Sequence, residues 1–122
     1  FTHYLQRYPA RQAISSSPTS FNVTSIGNVI IRPDIRFVAG GSDITDLTLE
    51  NLTTGQTFSF SDDVSAGETL QVDCQNLRVE NNPLDSLSAF VGDFLYLEPG
   101  TNVFKFTGSN CTIKVDTWDN WL

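Results

Sequence analysis

The stretch from Leu47 to Asp73, LTLENLTTGQTFSFSDDVSAGETLQVD, constrains this chain more than any other. It holds three short segments in which apolar residues recur at every second position: Leu47 and Leu49, Phe58 and Phe60, Leu70 and Val72. Successive side chains of a strand point to opposite faces. This period therefore lines the apolar residues on one face, with Thr48, Glu50, Thr57, Ser59, Gln71 and Asp73 on the other. Asn51-Leu-Thr-Thr-Gly55 separates the first two segments and Asp62-Asp-Val-Ser-Ala-Gly67 the second two. Each is polar and ends in a Gly that can take φ > 0 at a turn. The pattern predicts a β-meander with one wet and one buried face. Three strands cannot bury such a face alone, so a second sheet must cover it.

The same reading extends from Phe21 to the end. Phe21 and Val23 alternate with Asn22 and Thr24, Val29-Ile-Ile31 starts a further strand, and Ile35 and Phe37 point inward. Pro33 has no ladder donor and marks an edge, an entry or a bulge. Leu77 and Val79 follow Cys74 at one parity, and residues 84–93 read as a short helical turn or loop, with Leu84, Leu87 and Val91 at i, i+3 and i+7. A strand over 94–97, another with Phe104 and Phe106 inward, and a last one from Thr112 to Trp118 complete the set. About nine or ten short strands at a spacing of roughly 8–12 residues, with almost no helix, signal an all-β, two-sheet antiparallel β-sandwich of jelly-roll type. Leu70, Val72, Phe58, Phe60, Phe104, Phe106, Ile113 and Val115 are expected in one core between the sheets.

Residues 1–20 show neither strand nor helix period, and Ser15-Ser-Ser-Pro18 reads as a linker. The expected organisation is an N-terminal arm or linker over 1–20 and a sandwich domain over 21–122. The arm is either a lead-in or a segment packed on a neighbouring subunit through Tyr4, Leu5 and Tyr8. The chain opens on Phe1 and contains no Met, which suggests a piece of a longer product.

The net charge of −7 is unevenly spread. Residues 1–36 hold four Arg against one Asp, a balance of +3, and residues 37–122 hold three cations against thirteen acids, a balance of −10. An acidic body repels phosphate, which argues against nucleic acid and anionic membrane as partners. No run approaches the roughly 20 apolar residues that span a bilayer. The split points instead to the acidic body as an assembly surface, with the basic arm docking near it or on a neighbour. Cys74 and Cys111 share the apolar parity of their segments, which favours two buried thiols over a disulfide. The three sequons at Asn22, Asn51 and Asn110 stand against about two expected by chance from this Asn, Ser and Thr content, and so give no evidence for secretion.

Catalysis needs groups that reach one another. The one His, His3, stands in the unpatterned lead-in, so no Ser-His-Asp or Cys-His set has a base. Two cysteines and one distant His do not make a zinc site. Asp62, Asp63 and Glu68 could be read as a calcium site or a carboxylate pair, but turn chemistry alone selects such residues. The expectation is no enzyme, no metal and no cofactor. Flat aromatics on a sandwich surface can stack on a sugar ring or a protein partner, and Tyr96, Trp118, Trp121, Tyr4 and Tyr8 are the candidates for partner or glycan contact. The tryptophans could equally plug the end of the core.

Leu47-Thr-Leu-Glu-Asn-Leu-Thr-Thr-Gly55, Gly67-Glu-Thr-Leu-Gln-Val-Asp73, Leu97-Glu-Pro-Gly-Thr-Asn102 and a closing strand ending Trp121-Leu122 follow one another in a fairly specific order. This series resembles the C-terminal domain of phage distal tail proteins, the siphovirus-type tail component family, over about residues 21–122. The resemblance implies a galectin-like sandwich acting as a structural module of a tail tip or baseplate. It further implies virion assembly in the bacterial host cytoplasm, attachment of receptor-binding parts, other tail or baseplate proteins as partners, and a hexameric ring in the full-length protein. A carbohydrate-binding module of galectin-like fold is the alternative. Asp119 stands where the family commonly has a basic residue. Independently of any family, Pro99-Gly100 is suited to a type II turn, and Asn102 can bond local backbone as the chain re-enters a strand.

Overall fold

The computed structural model describes residues 7–14, 18–25, 28–81 and 84–118, with the backbone alone for 7–10, 84, 117 and 118. The strands are β1 (Arg7–Ile14), β2 (Thr19–Ser25), β3 (Asp34–Val38), β4 (Leu47–Asn51), β5 (Gln56–Phe60), β6 (Thr69–Asp73), β7 (Arg78–Asn81), β8 (Leu84–Asp85), β9 (Phe90–Gly92), β10 (Gly100–Thr107) and β11 (Cys111–Trp118). They form two antiparallel sheets, one of order β1-β11-β3-β6-β7-β8 and one of order β2-β10-β4-β5-β9. The expected all-β sandwich is what the chain adopts.

β4 and β5 form the expected hairpin, with Leu49 opposite Phe58 and the Gly55 N–H donating to Asn51 O over 2.8 Å. The third segment of the expected meander behaves differently. β6 does not pair with β5 but crosses to the other sheet, between β3 and β7. Residues 61–68 make the crossing, held by reciprocal Ile44–Val64 hydrogen bonds of 2.8 and 3.0 Å. Alternation tells which face of a strand is buried; it does not tell which of two facing sheets the strand joins.

Three other local expectations are corrected. Residues 7–14 are a strand rather than arm or linker: β1 pairs along its whole length with β11. Pro9 lies on an edge strand, the place in a sheet where proline is tolerated. The segments 29–31 and 94–97, expected as strands, bury Ile31, Leu95 and Leu97 but meet only through the isolated Ile31–Leu97 bridge. Side chains described below take the Tyr96 backbone groups that a ladder would have used. Leu77, expected inward beside Val79, is 54% exposed at φ 56°, where the turn into β7 needs a left-handed residue. Within 84–93 the helix is a single 3-10 turn, Leu87–Ala89, between two short strands.

Both sheets contribute rings to one core. Phe37 of the six-stranded sheet meets Phe58 edge-on at 6.1 Å and Phe106 at 6.0 Å, both from the five-stranded sheet. Phe58 packs on Phe90 at 5.1 Å between centroids, and Phe90 stacks on Phe94 at 4.4 Å. All eight residues expected in the core are buried. Removing one such ring, as in Phe104→Ala, costs about 3–5 kcal/mol.

Candidate assembly surface

The loop of residues 93–99 runs between the short edge strand β9 and β10, and buried amides shape it. Asn51 and Asn102 are fully buried. Asn102 Oδ1 accepts from Glu98 N at 2.9 Å, and its Nδ2 donates to Glu98 O at 2.9 Å and Gly100 O at 3.3 Å. Asn51 Nδ2 donates to Tyr96 O at 3.0 Å, and Gln56 Oε1 accepts from Tyr96 N at 3.0 Å. Gly100 turns the loop at φ 95°, a left-handed angle that favours Gly, so the predicted Pro-Gly turn and Asn102 anchor are both in place. The part that Asn51 and Gln56 play in holding the other side of the loop escaped the sequence reading. Their shared loop partner, Tyr96, is 45 residues from Asn51 and 40 from Gln56.

Of the five aromatic candidates, Tyr96 is described in full: its ring is half-buried and its backbone fixed as above. Tyr8 lies on β1 opposite Thr117 and Trp118 on β11 opposite Arg7, so the backbone brings these two to one end of the β1–β11 pair. Tyr4 and Trp121 lie outside the described residues. The same end of the sandwich carries the Tyr96 loop, since the Ile31–Leu97 bridge precedes β3, whose first residue Asp34 stands opposite Asp116. None of the aromatic side chains that the structure describes is exposed.

Among the described residues the large exposed apolar side chains are Ile30, Leu52, Leu77, Leu87 and Val91, none of them a contact candidate from the sequence. Leu77 and Leu87 flank a groove of about 310 Å³ lined also by Arg78, Val79, Glu80 and Asp85 at the β7–β8 edge. Asp62 and Asp63 are exposed and Glu68 half-buried in the crossing loop. Among the described residues no group of three His, Cys, Asp or Glu is gathered for a metal. Cys74 and Cys111 are free and buried, and burial pushes their thiols up to about 12 and about 11.

The charge lies where the sequence split does not place it. On the outer face of the six-stranded sheet, Arg11, Lys114, Arg36, Gln71, Glu80 and Asp85 stand in register across all six strands. In the adjacent row Asp116, Asp34, Asp73 and Arg78 stand in register across β11, β3, β6 and β7. Arg11 and Arg36, both counted in the basic first 36 residues, thus share a stripe with Lys114. Arg11, Lys114 and Arg36 are exposed, while Asp116, Asp34 and Asp73 are half-buried, so a basic ridge runs beside an acidic trough. Along β3 the two rows touch, with Arg36 Nη2 3.3 Å from Asp34 Oδ2. Burial raises the Asp34 carboxyl above its ordinary range; Gln71 and Arg36 oppose the rise, and Asp73 and Asp116 add to it. The outer face of the five-stranded sheet contrasts with this one. It presents mainly hydroxyls, with Thr48 Oγ1 and Ser59 Oγ 3.2 Å apart.

A family model described as the siphovirus-type tail component, C-terminal domain, matches residues 26–120. A search of curated proteins returns no match. Among solved structures, the chain is similar to SPP1 Dit (gp 19.1), described as a paradigm of the hub adsorption apparatus in Gram-positive infecting phages. That likeness has a TM-score of 0.66 at 19% identity and covers 91% of this chain and 46% of that one, so it bears on the fold.

Proposed function

The chain belongs to the siphovirus-type tail component family, and from that premise we propose that it is the structural module of a distal tail protein at the tail tip or baseplate. In this reading it builds into the tail with other tail proteins and holds receptor-binding parts, and the full-length protein closes a hexameric ring. The family match over residues 26–120 carries the proposal. The similar solved protein is described as an adsorption hub, which fits the same role, and this chain spans less than half of it. The role is non-enzymatic. A tail module needs a rigid scaffold with outward faces, and a buried polar network under the 93–99 loop with charged stripes on one sheet suits that need. Stacking on sugars calls for an open ring face. Tyr96 is half-buried, which gives the glycan-binding alternative less support.

Immunogold labelling of virions with antibody against this chain tests the reading. Label concentrated at the tail tip is expected. Label on the capsid, or none on intact virions with signal only in infected cells, would overturn it. A glycan array probed with the chain is expected to stay blank.

A further inference from the structure

We propose that the outer face of the six-stranded sheet is a self-complementary interface on which two copies of this chain meet face to face. The inference rests on the strand register and does not depend on the tail reading.

Like charges directly opposite on neighbouring strands oppose folding. This face nevertheless sets Lys114 opposite Arg36 and Arg11, and Asp34 opposite Asp73 and Asp116. Relief within the chain comes along the strands, as between Arg36 and Asp34. The result is two parallel rows of opposite sign on β11 and β3, with neutral Gln71 beside Asp73 on β6 and the sign reversed on β7, where Glu80 lies in the first row and Arg78 in the second.

A two-fold axis parallel to the stripes and midway between them lays each stripe on the other stripe of the second copy. Lys114 then meets Asp116, Arg36 meets Asp34, Glu80 meets Arg78 and Gln71 meets Asp73, each pairing occurring twice as a two-fold contact requires. No like charges face each other along the two rows. The exposed basic ridge enters the half-buried acidic trough, so shape follows charge. Turning the second copy instead about an axis along the strands would set Asp34 over Asp73, and that arrangement is disfavoured. Strand directions in the chosen arrangement are antiparallel, compatible with aligned sheet packing. A contact made of ion pairs carries a large desolvation cost. The dimer is therefore weak and sensitive to salt.

Sedimentation velocity on the 122-residue chain over a range of concentrations tests this directly. At low ionic strength a concentration-dependent dimer is expected, and at about 1 M salt, where the Debye length is near 3 Å, it should be lost. Lys114→Glu alone sets Glu over Asp116, and Asp116→Lys alone sets Lys over Lys114. Each should weaken the dimer by about tenfold or more. The double variant Lys114→Glu/Asp116→Lys, and an equimolar mixture of the two single variants, should each restore it. Thermal melts of each variant establish that the fold is kept, and the salt series on the unmodified chain stands whatever they show. A chain monomeric at every concentration in low salt overturns the proposal. So does a dimer indifferent to salt, or one that the charge swap and the mixture fail to restore.

Discussion

Asn51 Nδ2 lies 3.5 Å from Asn102 Oδ1 between two fully buried side chains, one ending β4 and the other near the start of β10. Together they hold the backbone of Tyr96, Glu98 and Gly100, and Asn51 Oδ1 also accepts from Thr53 N at 3.0 Å. Buried amides in water-free surroundings stabilise only when their partners are in place. Here the partners are loop backbone atoms, so the pair converts burial into a fixed loop.

Asn102→Ala is expected to destabilise the fold by about 1–3 kcal/mol, because the Glu98 N–H and carbonyl lose their partner. Amide exchange should accelerate at Tyr96 and Glu98 before it does at Phe37 or Val72. A variant with unchanged midpoint in urea would show that the network is dispensable.

Gly92 sits at φ 116°, and a Cβ there would lie 2.4 Å from Thr57 O and 2.9 Å from Phe58 Cα. Backbone cannot yield as a flexible side chain does. Gly92→Ala should therefore lift β9 from β5 and cost more than about 1 kcal/mol. Gly40→Ala, where a Cβ meets nothing within 4 Å, is the control expected to change little.

Leu77 holds a left-handed angle that costs a bulky residue roughly 1–2 kcal/mol. Its side chain is 54% exposed, so packing returns little of that. Leu77→Gly should raise stability by up to about 1 kcal/mol, measured by chemical denaturation. A loss of stability would mean that the exposed side chain shields the groove edge.

Asp34 has a folded-state pKa above its ordinary 3.8, chiefly through burial. A raised pKa means the contribution is full below the unfolded value and is lost as pH rises through the folded one. At neutral pH the ionised group is thus a cost, and Asp34→Asn should stabilise by a few tenths of a kcal/mol, up to ~1. The gain should vanish below the ordinary carboxylate range. An equal gain at pH 3 and pH 7 would exclude this origin.

The buried thiols follow the same sign. Cys74, raised from 9.0 to about 12, contributes stability below pH 9 that is lost as pH climbs towards the folded value. Cys74→Ala should lower stability at pH 7 and flatten its decline above pH 9. Thiol reagents at pH 8 should label both cysteines at the rate of unfolding. Rapid labelling of the native chain would contradict the burial.

The alternations at Leu47/Leu49, Phe58/Phe60, Leu70/Val72 and Phe104/Phe106 contain the whole decision of which faces are buried. That decision is local, since two neighbouring side chains on a strand cannot share a face. The Asn51–Gly55 and Pro99-Gly100 turns are legible for the same reason, each resting on the backbone limits of a few consecutive residues. The aromatic candidates were less legible, for aromatic residues serve cores and surfaces alike. Tyr96 turned out half-buried, while Tyr4 and Trp121 lie outside the described residues.

What only the tertiary structure decided is pairing across distance. β6 leaves its expected hairpin partner for β3 and β7, and β1 joins a strand roughly a hundred residues later in the chain. The charge tells the same story. By sequence alone the chain is a basic start and an acidic remainder; by register Arg11, Lys114 and Arg36 form one ridge beside Asp116, Asp34 and Asp73. Charge acts through space, at separations of a few ångströms, and only strand pairing sets which charges come that close.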